Sequence, residues 1–142
     1  MTGTRQGRLF EKLGALLLPT SDYAVFGSGP LVAHGLLEEV QDVDVVARGS
    51  AWERATELGP VLVAEGGDPV VRLESDAIEI FGGWLGWDID AIIEDAELVD
   101  GLPFARLEDV LAFKRAHGRP KDLEHARLLE AYLRDGTPSG ER

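Results

Sequence analysis

Apolar residues recur along this chain with two different spacings, which together predict a mixed order of helices and strands. Between Arg5 and Leu18 the apolar positions lie three and four residues apart, as on one face of a helix. Short apolar runs over Tyr23–Phe26 and Val43–Ala47 predict buried strands. The stretch Pro30–Glu39 between them predicts a helix, with its proline in the first turn, where proline is tolerated.

The second half of the chain continues with three short strand candidates and several helices. Glycines and polar residues separate the strands, which favours hairpin-like connections. Gly66–Gly67 suits the first turn and Ser75–Asp76 the second. The predicted helices are Trp52–Leu58, Asp88–Ala96, Leu107–His117 and Pro120–Arg134; the predicted strands are Val61–Ala64, Val70–Leu73 and Ile78–Phe81, with Leu98–Phe104 irregular or a short strand.

These elements predict a single α/β (α+β) domain over residues 1–134, with a mixed β-sheet flanked by helices and further helices at its C-terminal end. A chain of 142 residues, of which 44% are hydrophobic, is long and apolar enough for one sizeable core. Residues 135–142 are rich in Gly, Pro and Ser, and we expect a flexible tail there.

Composition and charge exclude several classes of protein. Apolar runs are too short to cross a bilayer, and the N-terminal residues lack the apolar core of a signal peptide, so no membrane partner is expected. The chain has no cysteine, which excludes disulfides and thiolate metal sites and makes the cytoplasm the expected compartment. A formal net charge of −12 disfavours nucleic-acid binding unless basic residues cluster on the surface.

One basic cluster is present near the C-terminus, and it has two interpretations. Its residues form either a solvated helix surface, balanced by nearby acids, or a patch that faces an anion. Because charge runs are usually solvated, composition alone favours the solvated surface. The cluster comprises Lys114, Arg115, His117, Arg119, Lys121, His125 and Arg127.

The stretch from Phe26 to Val46 carries the clearest chemical pattern. A strand there ends at Gly27–Ser28 and a helix follows; the N–H groups at a helix start bind phosphates, and glycine lets the backbone come close to a ligand. The next strand opens with Asp42 and Asp44, which lie on the same face because strand side chains alternate. Two close carboxylates repel each other unless a cation lies between them, and oxygen ligands of this kind suit Mg²⁺ or Mn²⁺.

Glu79 is the candidate for a third carboxylate at this site. It lies within Ala77–Phe81, an apolar strand in which a buried glutamate is costly unless it is paired or binds a metal. The periodicity gives at least equal weight to a second interpretation, in which Glu79 faces water on the polar side of an edge strand.

Two motifs, in this order along the chain, resemble a known superfamily. Gly27–Ser28, followed about one helix later by Asp42-Val43-Asp44, is similar to the signature of the DNA polymerase β-like nucleotidyltransferases. The stretch Leu107–Leu129, LEDVLAFKRAHGRPKDLEHARLL, resembles the ending of AbiEii-like and related small bacterial nucleotidyltransferase-fold proteins. The resemblance covers roughly residues 22–133 and implies a nucleotidyltransferase fold for the predicted domain.

The resemblance implies a metal-dependent reaction on a nucleoside triphosphate. Asp42 and Asp44 would ligate the Mg²⁺ or Mn²⁺ ions, and Glu79 would be the third metal ligand and the base for an attacking hydroxyl. The superfamily more often has aspartate at this third place, and Glu79 is one methylene longer. The hydroxyl of an acceptor would attack the α-phosphorus, and pyrophosphate would leave.

The resemblance also implies how the triphosphate is held. Gly27 and Ser28 would bind its phosphate groups at the strand–helix corner. Within the C-terminal motif, Lys114 and Lys121 would approach the phosphates, and Asp122 would orient one of these two lysines.

Two functions of different classes therefore fit the sequence. The first is an enzyme that transfers a nucleoside monophosphate to a hydroxyl of an RNA such as a tRNA end, of a protein or of a small molecule. The second is a domain of the same fold that binds a nucleotide or a partner protein without turnover. The retained Gly–Ser pair, aspartates and lysines favour the enzyme, and the position of Glu79 relative to Asp42 and Asp44 distinguishes the two. A role in a toxin–antitoxin pair follows by analogy only.

Three other interpretations fit the sequence less well. A dinucleotide-binding fingerprint needs Gly-x-Gly-x-x-Gly/Ala; Gly27 and Gly29 fit it, but Val32 occupies the third place. A histidine metal site is disfavoured because His117 and His125 lie eight residues apart on different predicted helices and the carboxylates offer no zinc-like spacing. Trp84 and Trp87 follow Glu79 closely enough to stack on a base, but we expect them to be core or interface aromatics.

Overall fold

A computed structural model describes residues 5–39 and 41–135, which form a seven-stranded sheet and six helices. The strands are β1 (Tyr23–Phe26), β2 (Val43–Ala47), β3 (Leu62–Val63), β4 (Pro69–Leu73), β5 (Ile78–Phe81), β6 (Glu97–Val99) and β7 (Leu102–Phe104). The helices are α1 (Arg5–Ala15), α2 (Gly29–Ala33), α3 (Gly49–Leu58), α4 (Ile89–Glu94), α5 (Leu107–His117) and α6 (Pro120–Asp135). Apart from Asp135, which ends α6, the predicted tail lies outside the described residues.

The sheet is mixed and open, with its strands in the order β3-β4-β5-β2-β1-β7-β6. At its centre, β2 runs parallel to β5 and antiparallel to β1, while β1 runs parallel to β7. Strands β3, β4 and β5 form an antiparallel meander, in agreement with the turn signals at Gly66–Gly67 and Ser75–Asp76. Other predicted elements differ mainly at their ends, since α3 begins at Gly49 and β3 covers only Leu62–Val63. The mixed α/β class predicted from the two spacings is confirmed.

Each face of the sheet is covered by its own set of helices, because strand side chains alternate between two apolar cores. On one face, Val25, Val45 and Ile80 pack with α1 and α3. On the other face, Ala24 and Val46 pack with α4, α5 and α6. Full burial of a Val, Leu, Ile or Phe side chain contributes about 1.5–3 kcal/mol, so the two cores together hold the helices against the sheet.

Helix α2 is shorter than the helix predicted over Pro30–Glu39. It ends after Ala33 because Gly35 adopts a left-handed φ of 78°. The amide of Leu36 then bonds to the carbonyl of Leu31 at 2.8 Å, a closure that commonly ends helices at a glycine. The apolar residues beyond this point pack into the second core as a loop rather than as another helical turn.

The segment Leu98–Phe104, predicted as irregular or a short strand, belongs to a hairpin formed by β6 and β7. Val99 pairs with Leu102, and the two residues between them, Asp100 and Gly101, have φ angles of 52° and 83°. A two-residue loop with positive φ at both positions matches the twist of the strands that it joins. The Asp-Gly sequence is the usual signal for such a turn.

Helices α5 and α6 pack against each other through a short turn. Gly118 ends α5 with a left-handed φ of 69°, and its amide bonds to the carbonyl of Lys114 at 3.0 Å. Pro120 begins α6, where proline is preorganised for the first helical turn. Over the part of the chain that the structure describes, none of the helices has the length and apolar character needed to cross a membrane.

Candidate functional site

The strand register brings the carboxylates of Asp44 and Glu79 together. Asp44 on β2 lies directly opposite Glu79 on β5, so the two side chains share one face of the sheet. Gly27 lies beside them at the end of β1, with a φ of 62°. A Cβ atom at position 27 would be 2.8 Å from Oδ2 of Asp44, so the absence of a side chain there makes room for this carboxylate.

The electrostatics of Asp44 follow from this close approach. Burial raises the pKa of Asp44 to about 8, and the charge of Glu79, a hydrogen bond to Glu79 and the charge of Asp42 act in the same direction. The ammonium group of Lys114 opposes the rise without cancelling it. At neutral pH Asp44 therefore keeps its proton and shares it with Glu79, as two adjacent carboxyl groups do when no cation separates them.

Glu79 is held from the opposite side by Arg72. Arg72 lies opposite Glu79 on β4, and its Nε donates a hydrogen bond of 2.7 Å to Oε2 of Glu79. The side chain of Glu79 is 17% exposed and that of Arg72 is 30% exposed. Because β5 lies between β4 and β2 in the sheet, the interpretation that placed Glu79 on an edge strand is wrong.

Asp42 lies immediately before β2, two residues before Asp44. It is exposed, and its charge acts on both Asp44 and Arg72. Within residues 5–39 and 41–135, no group of three or more His, Cys, Asp or Glu side chains is placed to hold a metal ion. The pair of Asp44 and Glu79 nevertheless fits a hard divalent cation, since Mg²⁺ is commonly bound by one or two carboxylates plus waters and substrate phosphates.

Ser28 connects the strand–helix corner to helix α5. The Nζ atom of Lys114 donates a hydrogen bond of 2.6 Å to Oγ of Ser28, and Nδ1 of His125 lies 3.3 Å from the same oxygen. An ammonium group has no acceptor, so the hydroxyl proton of Ser28 is left for His125. Ser28 occupies the N-cap position of α2 but makes no side-chain cap bond there, which is consistent with its engagement by α5 and α6.

Asp122, on α6, holds the ammonium group of Lys114. Oδ1 of Asp122 lies 3.5 Å from Nζ of Lys114, while Oδ2 lies 2.9 Å from Nδ1 of His117 and 3.3 Å from both the backbone N and Nε of Arg119. Burial alone raises the pKa of Asp122, but hydrogen bonds from His117 and Arg119 and the charge of Lys114 together lower it. Asp122 therefore stays ionised, as required of a partner for a buried lysine.

Lys114 and His125 are both buried, and burial disfavours the charged form of each. Burial lowers the pKa of Lys114, although Asp122 and Asp44 oppose that change. Burial also lowers the pKa of His125, and the charges of Lys114 and Lys121 lower it further, so this imidazole is neutral at physiological pH. Lys121 itself is exposed in the first turn of α6 and acts on this group through its charge.

The solvated-surface interpretation of the basic cluster is correct for only part of it. Arg115, Arg119 and Arg127 are exposed, whereas Lys114 and His125 are buried at the site. His117 and His125 were predicted only as members of the basic cluster, and Arg72 was not predicted at the site. Two signals were present: His125 follows Asp122 by one helical turn, and Arg72 is set opposite Glu79 once the intervening hairpin turn is known.

The tryptophans after Glu79 are core residues, as expected. The ring centroid of Trp84 lies 5.3 Å from that of Phe26 and 5.4 Å from that of Phe113, and Trp87 lies 5.8 Å from Phe113. These edge-to-face contacts are the favoured geometry for aromatic pairs. They fix α5, and with it Lys114, over the face of the sheet that carries Asp44.

A cavity of about 450 Å³ lies away from this site, between α1 and the β6–β7 hairpin. Phe10, Gly14, Leu102 and Phe104 are among its lining residues. Phe10 and Phe104 belong to the core on the opposite face of the sheet from Asp44 and Glu79. The carboxylates and the cavity are therefore separate features of the molecule.

Comparison with known proteins adds no assignment to this geometry. No protein-family model matches the chain, and no curated protein is found to be similar to it.

Proposed function

We propose that this domain has a nucleotidyltransferase fold and is a metal-dependent nucleotidyltransferase, which transfers a nucleoside monophosphate from a nucleoside triphosphate to a hydroxyl group. The observation that carries the proposal is the contact between Asp44 and Glu79 across β2 and β5, beside the Gly27–Ser28 corner and Lys114. Acidic oxygens and a buried ammonium group on adjacent sides of one corner are complementary to a cation and a phosphate, respectively.

The carboxylates would hold a divalent cation, Mg²⁺ or Mn²⁺. Asp44 and Glu79 supply the two adjacent oxygen donors, and Asp42 would supply a further one from the same strand face. When bound, the cation would stabilise negative charge on the phosphate oxygens and on the leaving pyrophosphate. Asp44 would give up its proton when it binds a cation, because a ligating carboxylate must be ionised.

Lys114 and Ser28 would bind the triphosphate. Lys114 has three N–H donors, of which Ser28 and Asp122 engage two, and the third would donate to a phosphate oxygen. Asp122 and His125 keep the ammonium group and the hydroxyl in place, and exposed Lys121 would add positive charge nearby. Positioning and charge stabilisation of this kind account for most of the catalysis in phosphoryl transfer.

In the proposed reaction, an oxygen of the acceptor hydroxyl forms a bond to the α-phosphorus. The bond between this phosphorus and the bridging oxygen of the β-phosphate breaks, and pyrophosphate leaves. The hydroxyl proton passes to the carboxylate of Glu79, which Arg72 holds through a hydrogen bond from Nε. The acceptor is an RNA end, a protein or a small molecule; the net charge of −12 disfavours a long nucleic acid.

A second candidate is a cytoplasmic domain of this kind that binds a nucleotide or a partner protein without turnover, including one half of a toxin–antitoxin pair. The observation that favours it is the ion pair between Glu79 and Arg72, which already satisfies the carboxylate proposed as the base. The lack of a three-membered metal-binding group among the described residues points in the same direction.

Incubation of the purified protein with each radiolabelled nucleoside triphosphate, Mn²⁺ and cell extract tests the proposal. Label is expected in an RNA, protein or metabolite fraction with the wild type and with Asp100→Asn, an exposed carboxylate in the β6–β7 turn. Asp44→Asn is expected to abolish transfer. Nucleotide binding in calorimetry without any labelled product would instead support the second candidate. The absence of both would contradict the enzyme and the nucleotide-binding form of the second candidate.

A further inference from the structure

Four side chains form a continuous row across the strands β1, β2, β5 and β4. Phe26 lies opposite Asp44, Asp44 opposite Glu79, and Glu79 opposite Arg72. Adjacent strands are about 4.8 Å apart, so each side chain in such a row contacts its neighbours. Glu79 therefore stands between an acid on one side and a guanidinium group on the other.

The contact with Arg72 restricts the rotational freedom of the Glu79 side chain. A glutamate has one more rotatable bond than an aspartate, and its carboxylate occupies several positions unless something holds it. Arg72 holds one oxygen of Glu79 through Nε at 2.7 Å, from a strand that is itself paired along β5. With the two side chains only 17% and 30% exposed, solvent screens this pair less than an ion pair at the surface.

We propose that Arg72 is a positioning residue of the candidate active site: it fixes the carboxylate of Glu79 against Asp44, so that the two acids bind one divalent cation. The inference rests on the proposed function. It assigns a role to a residue that the motif does not include, and it makes the β4–β5 hairpin part of the site.

Two other roles of Arg72 predict different effects on cation binding. As a purely structural ion pair, Arg72 would stabilise the hairpin and leave cation binding unchanged. As a competitor of the cation, Arg72 would weaken cation binding in the wild type, because a positive charge beside the site repels a second one. Removal of Arg72 would then strengthen cation binding. A positioning role requires that loss of Arg72 weakens cation binding, and that this loss depends on the length of the side chain at position 79.

The test measures the affinity of Mn²⁺ alone by calorimetry for the full chain and its variants. We expect Arg72→Gln to weaken binding by about tenfold, as is typical when a partner of a ligating carboxylate is removed. Arg72→Lys keeps the charge but replaces the fixed fork with a flexible ammonium group, and its affinity should lie between those of Arg72→Gln and the wild type. Arg54→Gln is the matched control, since Arg54 is a partly exposed arginine paired with Glu57 on α3.

A double-mutant cycle with Glu79→Asp separates positioning from stability. The shorter carboxylate withdraws from Arg72, so adding R72Q to the E79D variant should change Mn²⁺ affinity less than twofold. The melting temperature of each metal-free variant, measured by circular dichroism, shows that it is folded; should R72Q not fold, the comparison of R72K with and without E79D takes its place.

Each outcome decides the inference. A tenfold loss that disappears with E79D supports it. An unchanged or tighter Mn²⁺ affinity in R72Q, or the same loss with and without E79D, overturns it while the proposed function stands. A wild type that binds no Mn²⁺ overturns the proposed function, and this inference with it.

Discussion

The charge of Asp44 differs between the folded and unfolded states, and this difference makes stability depend on pH. In the folded protein burial and the charge of Glu79 raise the pKa of Asp44 to about 8, from an ordinary value of 3.8. Between these values the folded state binds one more proton than the unfolded state, so the free energy of unfolding falls as the pH rises. The fall ends once the pH exceeds the raised pKa.

Asp44→Asn is therefore expected to stabilise the metal-free protein at alkaline pH. At about pH 9 Asp44 of the wild type has lost its proton in a buried position beside Glu79, whereas an asparagine is neutral at every pH. We expect the melting temperature of the variant, measured by circular dichroism with a chelator, to exceed that of the wild type by roughly 3 °C or more at that pH. The difference should shrink as the pH falls and nearly vanish only below the ordinary value of 3.8, where Asp44 is protonated in both the folded and the unfolded state. Parallel curves for the two proteins would contradict this assignment of the proton.

Gly27→Ala probes the close approach between the strand–helix corner and Asp44. Gly27 has a φ of 62°, which disfavours any side chain, and a Cβ atom added there would lie 2.8 Å from Oδ2 of Asp44. Gly35→Ala is a matched control, because Gly35 has a φ of 78° but no atom within 4 Å of an added Cβ. Both variants should lose about 1–2 kcal/mol of stability in chemical denaturation, whereas only Gly27→Ala should also weaken Mn²⁺ binding. Equal Mn²⁺ affinities in the two variants would show that the corner does not shape the site.

At the scale of elements, the local sequence accounts for most of the helices and strands. The spacing of apolar residues gives the bounds of β1, β2, β5 and α5 as observed, because each element buries one face or both faces in a core. The errors arise where a backbone conformation overrides that spacing. Gly35 ends α2 early with a left-handed φ, and Asp100–Gly101 makes a hairpin of two strands from a stretch that was predicted as irregular or one short strand.

The packing of α5 on α6 includes two ion pairs that differ in burial. Asp122 and Lys114 are each 5% exposed at the side chain, whereas Arg115 and Glu130 lie on the surface of the same helix pair at 56% and 40%. Removing one partner of a buried pair leaves the other charge desolvated without compensation, while an exposed charge is solvated by water.

Asp122→Asn is accordingly expected to lower the free energy of unfolding by about 3 kcal/mol at neutral pH. Its pKa is lowered in the folded state, so its contribution is full above the ordinary value of 3.8 and is lost as the pH falls through the folded value. The difference from the wild type should therefore shrink in acid. Glu130→Gln, the control, should cost about 0.5 kcal/mol or less. Urea denaturation at neutral and acid pH checks both, and equal losses in the two variants would contradict the difference in burial.

At the scale of the whole molecule, the site depends on contacts that periodicity does not encode. The contact of Asp44 with Glu79 needs β5 to insert between β4 and β2, and the contact of Ser28 with Lys114 joins residues 86 positions apart. The alternation of side chains along a strand predicted that Asp42 and Asp44 share a face, whereas it left Glu79 with two interpretations. The family resemblance suggested that Asp44, Glu79 and Lys114 work together, and strand order was needed to place Arg72 with them.

The net charge of the chain repels an approaching triphosphate, whereas the local site attracts it. The 26 acidic residues outnumber the 14 basic ones, so the distant field repels an anion, while buried Lys114 attracts it only at short range. The screening length falls from about 30 Å at 0.01 M salt to about 8 Å at 0.15 M, which removes the distant repulsion first. We expect the association rate of a fluorescent nucleoside triphosphate with Mn²⁺, followed by stopped flow, to rise over this range.

The dissociation rate should change little over the same range, because buried contacts are screened less than surface charges. Lys121→Gln is the control for steering by the exposed part of the basic cluster, since Lys121 lies at the start of α6. If the solvated arginines and Lys121 do not steer the ligand, this variant will show the same rise in association rate as the wild type. An association rate that falls with salt in the wild type and loses that dependence in Lys121→Gln would instead mean that these surface cations outweigh the net charge and guide the anion to the site.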